Sequence, residues 1–318
     1  MLLSVVLPVY NEAAVLESFH TRLVGAVAAV AGPEDSWEAL YVDDGSSDQS
    51  VAVIHGLAQQ DDHIRLVALA RNFGKEIATT AGIHQAAGDA IVMMDSDGQH
   101  PPESIGEFLD AWREGAQVVI GVRTDNQSAP LVKSMASRAF YAISRSLSQG
   151  HLLRNSTDYC LIDQEVATAF RGYGQQSRMT RAIIQSMGYA QGRVEFAADP
   201  RMAGQASYST RKLVSLALDA LVTGSSKPLM WSAVLGGFLA LVGFLAGCAV
   251  LVEQLILGDP LGWNFTGSAM LGILVLFVTG LILGSQGVIG LYLSAVYREV
   301  LRKPLYLVNA ARSLGYRP

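Results

Sequence analysis

The chain is 318 residues long, 50% hydrophobic, and carries a formal charge of −5. That length can bury the core of one or two domains plus an appendage, while two cysteines, Cys160 and Cys248, indicate neither a disulfide framework nor a cysteine metal site. No nucleic-acid partner is expected from so acidic a balance, and the charge is unevenly spread: residues 1–122 hold 5 Lys+Arg against 18 Asp+Glu, or −13, and residues 123–212 hold 12 against 6, or +6.

The first 122 residues alternate strand-like and helix-like runs. Residues 3–9 are apolar and β-rich, 12–30 have helical character, and 39–42 form a short apolar run ending in Asp43 and Asp44. Then 50–59 read as helix, 64–69 as strand, 75–87 as helix, 90–94 as strand, 102–114 as helix and 118–122 as strand. This alternation predicts a mostly parallel sheet covered on both faces, with ligands bound beyond the carboxyl ends of its strands. The residues at those ends are polar. Pro8, Tyr10, Asn11 and Glu12 follow the first strand, where a helix opening toward a nucleotide and a plain Asn11 N-cap are both readable. Asp43, Asp44, Gly45 and Ser46 follow the second, suited to a base or ribose or to an Asx turn. Asp95, Ser96 and Asp97 follow the fourth, and two hard carboxylates one residue apart suit Mg²⁺ or Mn²⁺ carrying a diphosphate. No G-x-G-x-x-G follows the first strand and no Walker sequence occurs, which argues against a dinucleotide or P-loop site.

Beyond residue 122 the pattern changes. Residues 131–147 repeat apolar positions at helical spacing with Lys133, Arg138 and serines elsewhere, giving a basic amphipathic helix that either lies in a membrane interface or packs on the sheet. A second such segment, 212–222, leads into 25 uncharged residues between Lys227 and Glu253; a further 38 separate Asp259 from Arg298. A bilayer span needs about 20 apolar residues, so two transmembrane helices are predicted, near 231–252 and 268–292. Lys227 before the first and Arg298, Arg302 and Lys303 after the second, with no basic residue in the connecting loop, put both flanks in the cytoplasm. Met1 leads directly into a strand with no basic leader, so no signal peptide is expected. The expected division is a cytoplasmic domain over 1–226, with interface helices near 131–147 and 207–226, a membrane hairpin over 227–297 and a cytoplasmic tail over 298–318.

In order and spacing, the segments around Pro8–Glu12, Val42–Ser47, Arg71–Gly74 and Asp95–Glu103 resemble family 2 glycosyltransferases of the GT-A (Rossmann-like) α/β fold. Within that family the chain is similar to the polyprenyl-phosphate branch, which includes dolichol-phosphate mannose synthases, bactoprenol glucosyltransferases and undecaprenyl-phosphate aminoarabinose transferases. The resemblance spans residues 3–225, and the two-helix anchor matches the bacterial subgroup. It implies nucleotide binding by Pro8, Tyr10, Asn11, Glu12, Asp44, Asp95 and Ser96, a metal and diphosphate site at Asp95, Asp97 and Gln99, and phosphate contacts from Arg123, Lys133, Arg138 and Arg201. The stretch Asp158, Tyr159, Cys160, Leu161, Ile162, Asp163 is similar to the family's acid-aromatic-x-Leu-x-acid element, which makes Asp158 the catalytic candidate beside Asp97; a structural partner for Arg154 is the alternative. Two positions depart from the pattern: Gly98 stands where the family usually has Leu, and Ala206 and Ser207 replace a Ser and a Lys after Arg201.

The expected activity is metal-dependent, inverting transfer of one sugar from a nucleotide-sugar donor, UDP-glucose first, to a polyprenyl monophosphate at the inner face of a bacterial membrane. GDP-mannose or a UDP-aminosugar are the alternative donors. A non-catalytic, membrane-anchored nucleotide-binding protein and a nicotinamide-dependent oxidoreductase are the readings from other classes. The partners expected are donor, acceptor lipid and bilayer, and a homo-oligomer is compatible with all of them.

Overall fold

The computed structural model describes residues 1–32, 34–124, 156–174, 179–197, 267–301 and 304–316, with isolated positions between 234 and 252. These fall into two compact units, the first holding everything described up to residue 197 together with 304–316, the second holding 267–301.

In the first unit, β1 (Leu2–Val9), α1 (Leu16–Val30), β2 (Ser36–Asp43), α2 (Ser50–Ala58), β3 (Ile64–Ala68), α3 (Lys75–Gln85), β4 (Ala90–Met93), α4 (Ile105–Arg113) and β5 (Val118–Arg123) follow the expected alternation. After them come β6 (Ser156–Asp163), α5 (Gln164–Arg171), α6 (Thr180–Ser186) and β7 (Gln191–Phe196). The seven strands form one sheet in the order β3-β2-β1-β4-β6-β5-β7. All neighbours pair in parallel except β6, which runs antiparallel to both β4 and β5. The sheet is therefore mostly parallel, as expected, with one reversed strand that the chain order alone does not announce.

Alternation along each strand divides the core in two. Leu3, Val5 and Leu7 of β1, Tyr41 of β2, Val92 of β4 and Leu161 of β6 pack with α1, α2 and α4 on one face. Val6, Leu40, Val42, Ile91 and Ile162 pack with α3, α5 and α6 on the other. Burial on both faces accounts for the near-continuous apolar strands. Helix α3 is built of small residues, and a Cβ on Gly82 would sit 2.2 Å from a methyl of Val6, so this helix lies unusually close to β1. The first turn of α1 begins at Leu16, later than the sequence pattern suggests, because residues 10–15 are taken up by the loop over the strand ends.

Residues 304–316, which the sequence reading leaves as a tail, return to the sheet. Leu314 and Leu66 exchange both backbone hydrogen bonds, the Ala70 amide donates to Leu307, and the Asn309 amide donates to Ala68. The outer edge of β3 is thereby covered, which removes an exposed template for pairing with another chain. Arg65 fastens the same segment by donating to the Gly315 carbonyl at 3.0 and 3.2 Å.

In the second unit, α7 (Gly267–Val300) contains the expected span 268–292. At about 1.5 Å per residue a helix of this length exceeds the roughly 30 Å of a hydrocarbon core. Its most apolar window, Phe277–Ser294, has no buried residue, and by length and composition the helix is sufficient to cross a membrane. The first expected span lies outside the described residues except for isolated helical positions, and the amphipathic segments 131–147 and 207–226 lie outside them entirely.

Near the amino ends of β1, β2 and β3 the sheet is locked by a buried ion pair. Glu38 accepts from Arg65 at 2.7 Å, from the Ser4 hydroxyl and from the Ala87 amide. Burial pushes the Glu38 carboxyl up, but those donors and the Arg65 charge outweigh it and hold it below its ordinary 4.5. A depressed carboxylate contributes stability above that value and loses it as pH falls through the folded pKa. Glu38→Gln leaves Arg65 without its counter-charge and is expected to cost about 3 kcal/mol at pH 7. Its melting temperature should fall less steeply than that of the unmodified chain below pH 4.5. Parallel acid limbs in the two thermal-melt series would refute this account.

Candidate active site

The site lies beyond the carboxyl ends of β1, β2 and β4, where each strand hands its chain to a polar turn. Asn11 adopts φ 55, one of the few conformations an Asn tolerates in the left-handed region. Its side-chain oxygen accepts from the amides of Ser47 at 2.9 Å and Asp48 at 3.3 Å, while its own amide donates to Ser46 Oγ. Asn11 thus ties the β1 turn to the β2 turn and does not cap α1. Asp43 closes the second turn by accepting from the Ser46 amide, and Asp44 accepts from the amides of Phe73 at 2.7 Å and Gly74 at 2.9 Å. Gly45 sits at φ 70 with the Arg71 carbonyl carbon 2.4 Å from where a Cβ would be, so only glycine lets the two loops meet. Tyr10 is about half exposed beyond this junction.

At the end of β4 the carboxylates gather. The Asp95 amide donates to His100 Nδ1 at 2.9 Å, so that nitrogen carries no proton, in keeping with burial, which lowers the His100 pKa. Ser96 donates to the Pro8 carbonyl and makes a short hydrogen bond to Glu12. Burial, with the like charges of Asp97 and Asp95 added, raises the Glu12 carboxyl to about 7 despite that bond. The Gln99 amide donates to Asp97 Oδ1 at 3.0 Å, and Gly98 takes φ 83. A leucine in that conformation would be strained, which explains the glycine at this position.

The antiparallel strand completes the site. Met93 pairs with Cys160 across β4 and β6, and each step forward along one strand is a step back along the other. Continuing that register by two residues sets Asp158 opposite Asp95. Two facing carboxylates repel, and Lys75, the first residue of α3, resolves the conflict. Its Nζ lies 2.7 and 2.8 Å from the two oxygens of Asp95 and 2.7 Å from Asp158 Oδ2. Burial alone would lower the Lys75 pKa, but Asp95 and Asp158 together hold it above its ordinary value. Asp158 is likewise pushed up by burial and brought below the usual carboxylate value by Lys75 and by Arg181, 3.8 Å away. Below Asp158, Tyr159 donates to the Pro101 carbonyl and stacks on His100, which locks the strand against the acidic loop.

The structure therefore gathers Pro8, Glu12, Asp95, Ser96, Asp97 and Asp158 around one edge, with Asn11 and Asp44 in the adjoining loops. Arg123 ends β5 at the edge where β6 begins and is exposed. Lys133, Arg138, Arg154 and Arg201 lie outside the described residues. Among the described residues, the ionic partners of Asp158 are Lys75 and Arg181. Sequence reasoning missed Lys75, although a lysine directly after a glycine at the start of an expected helix stands in the sequence. Neither Glu76 nor Arg181 had any signal, because both are brought in by the packing of α3 against α6.

The donor set suits a divalent cation. Among the described residues no group of three or more His, Cys, Asp or Glu is placed to hold a metal ion. Mg²⁺ does not need one, since it is commonly held by one or two carboxylates with the remaining positions taken by water and substrate phosphates. Asp95 and Asp97 fit that pattern.

A model of glycosyl transferase family 2 matches residues 4–171. An uncharacterized glycosyltransferase of Synechocystis sp. is 36% identical over 316 residues, 99% of this chain and 97% of the relative. The YkcC glycosyltransferase of Bacillus subtilis, also uncharacterized, is 32% identical over 96% of this chain and 93% of its own. A prophage-derived bactoprenol glucosyl transferase of Shigella flexneri is 30% identical over 97% of this chain and 98% of its own.

The junction of the two turns makes a stability prediction. Gly45→Ala places a methyl against the Arg71 backbone at a positive φ, and is expected to cost about 2 kcal/mol. A thermal melt in detergent should show a drop of several degrees; an unchanged midpoint would mean the loops part freely.

Proposed function

The chain belongs to glycosyl transferase family 2 and is a glycosyltransferase, and from that premise we propose that it transfers a single sugar from a nucleotide-sugar donor, UDP-glucose first, to a polyprenyl monophosphate, with inversion. The observation that carries this reading is the opposition of Asp95 and Asp158 across Lys75, which brings a diphosphate-type acid and a second carboxylate to one point of the sheet edge. A relative named for bactoprenol glucosyl transfer, similar along nearly the whole of both chains, supports glucose as the sugar and a polyprenyl lipid as the acceptor. The exposed apolar helix α7 supports a membrane location, and the basic flank at its end supports a cytoplasmic active site.

Asp95 and Asp97, with Gln99 beside them, would hold a divalent cation, Mg²⁺ or Mn²⁺. Bound there, such an ion offsets the negative charge that develops on a leaving diphosphate. The turns around Pro8, Tyr10, Asn11, Glu12 and Asp44, with Ser96, take the nucleotide. The acceptor phosphate has a second pKa of about 6 and is largely dianionic near neutral pH, so it needs no strong base. Asp158 is held ionised by Lys75 and Arg181, and its task is to orient the sugar and stabilise positive charge at the anomeric carbon. Arg123, at the same edge, is suited to the acceptor phosphate, with Lys133, Arg138 and Arg201 as the further basic residues of the reading.

Purified chain in detergent should form a labelled glycolipid from UDP-glucose and undecaprenyl phosphate, and chelation should stop it. Asp97→Ala should abolish transfer with the melting temperature retained; full activity of that variant would exclude the metal assignment. Asp158→Asn is expected to lower turnover at least 100-fold with donor affinity nearly unchanged, since it removes a charge used in the chemical step. Parallel loss of donor affinity and thermal stability would make Asp158 a structural residue.

A further inference from the structure

The turn after β2 holds a carboxylate with few partners. Asp43 is fully buried, and its two oxygens share one hydrogen-bond donor, the Ser46 amide, at 3.2 and 3.3 Å, both long for such a bond. The next residue, Asp44, is buried as well, but it accepts from the amides of Phe73 at 2.7 Å and Gly74 at 2.9 Å. Burial raises the Asp44 carboxyl, and the like charge of Asp43 adds to the rise against those two amides. A buried charge is costly unless it is paired. Among the described residues the ionic partner of Asp43 is Arg312, whose Nη2 lies 3.9 Å from Asp43 Oδ2. That is too far for a hydrogen bond and close enough for one charge to offset another, the more so because the acid is shielded from water.

Arg312 comes from the segment that follows the membrane helix, and fixed backbone brings it there. Leu314 exchanges both backbone hydrogen bonds with Leu66, the Ala68 amide donates to Ser313 Oγ at 3.0 Å, and His55 of α2 donates to the Arg312 carbonyl at 3.2 Å. Arg312 itself ends a 3₁₀ turn, Ala310–Arg312, with its amide on the Asn309 carbonyl. A guanidinium on so firm a seat, beside a buried carboxylate, is a counter-charge for the turn. That turn joins Asn11 through Ser46 Oγ and the Ser47 amide, and meets the loop before α3 through Asp44 and Gly45. We propose that Arg312 is a positioning residue for the donor nucleotide: by offsetting Asp43 it holds the turn in the shape that presents Asn11 and Asp44, which makes the segment after the membrane helix a part of the donor site. The assignment rests on the nucleotide-sugar reading above and adds a residue far beyond 4–171, the stretch that matches the family.

The test measures UDP binding by calorimetry on the full chain in detergent with Mg²⁺ present, and donor KM and kcat in the transfer assay. Arg312→Gln should weaken UDP binding about tenfold and raise the donor KM by a similar factor, with kcat nearly unchanged because the residue touches no reacting atom. Arg312→Lys should restore most of the affinity. Arg312→Glu, which sets another acid against Asp43, should weaken binding beyond Arg312→Gln. In a chain carrying Asp43→Asn, which keeps an oxygen for the Ser46 amide and removes the charge, Arg312→Gln should have no further effect on UDP. The Lys, Gln and Glu series decides alone where Asp43→Asn does not fold. A lowered melting temperature in Arg312→Gln with UDP affinity unchanged would make the contact structural only and overturn the assignment. Equal losses from Gln and Glu, a fall in kcat alone, or the same loss from Arg312→Gln with and without Asp43→Asn would overturn it too. No binding of UDP or GDP by the unmodified chain would overturn the nucleotide-sugar reading itself, an outcome distinct from the preceding ones.

Discussion

The site depends on the reversal of one strand. In a wholly parallel sheet every carboxyl end points the same way, and the residues that follow each strand diverge into separate loops. Because β6 runs against β4, its beginning lies beside the end of β4, and the register that pairs Met93 with Cys160 carries Asp158 opposite Asp95. The sheet then imposes a clash of two carboxylates as a condition of its own pairing. Lys75 removes it, and can do so only because α3 lies close against β1 through Ala78, Ala81 and Gly82. Small residues in the middle of a helix thus fix the place of an ammonium at its first turn.

The parts of this arrangement that were legible in the sequence are those set by local pattern. Apolar runs alternating with helical patterns marked the parallel strands, and Asp95, Ser96 and Asp97 stood out because they directly follow the apolar run 90–94. What could not be read was set by pairing across the chain. Nothing local in residues 156–163 says that this strand is reversed, so the opposition of Asp95 and Asp158 stayed hidden even though both residues had been singled out. Lys75 and Arg181 were hidden for the same reason: each is an ordinary cation on a short helix until α3 and α6 are packed on one face. The alternative reading of Asn11 as a helix cap fails because the sequence shows the helical run after it and not the β2 turn, 36 residues on, that uses its oxygen.

The segment after the membrane helix is the clearest case of a long-range decision. Residues 304–316 have no periodic pattern and look like a tail, yet they donate and accept backbone hydrogen bonds along β3 and are gripped by Arg65. Arg65 also holds Glu38, so one guanidinium joins the outer strand, the edge segment and the buried start of β2. The segment reaches the turn beyond β2 as well: Arg312 lies 3.9 Å from buried Asp43, whose carboxylate shapes the turn that Asn11 completes. A chain that leaves its catalytic unit for an apolar helix and then returns to its sheet binds both ends of that excursion to the same fold.

The charge at the site gives the last step. Glu12, Glu76, Asp95, Asp97 and Asp158 stand against Lys75 and Arg181, an excess of acid that a diphosphate, itself anionic, would aggravate. Glu12 registers the strain directly: burial and the fields of Asp97 and Asp95 lift its carboxyl to about 7, so near neutral pH it is shared between its charged and neutral forms. Lys75 relieves this only in part, since its ammonium is already divided between Asp95 and Asp158. On the proposed reaction, a divalent cation arriving with the donor would neutralise its diphosphate, and the acids that repel the bare anion would then serve to hold the ion.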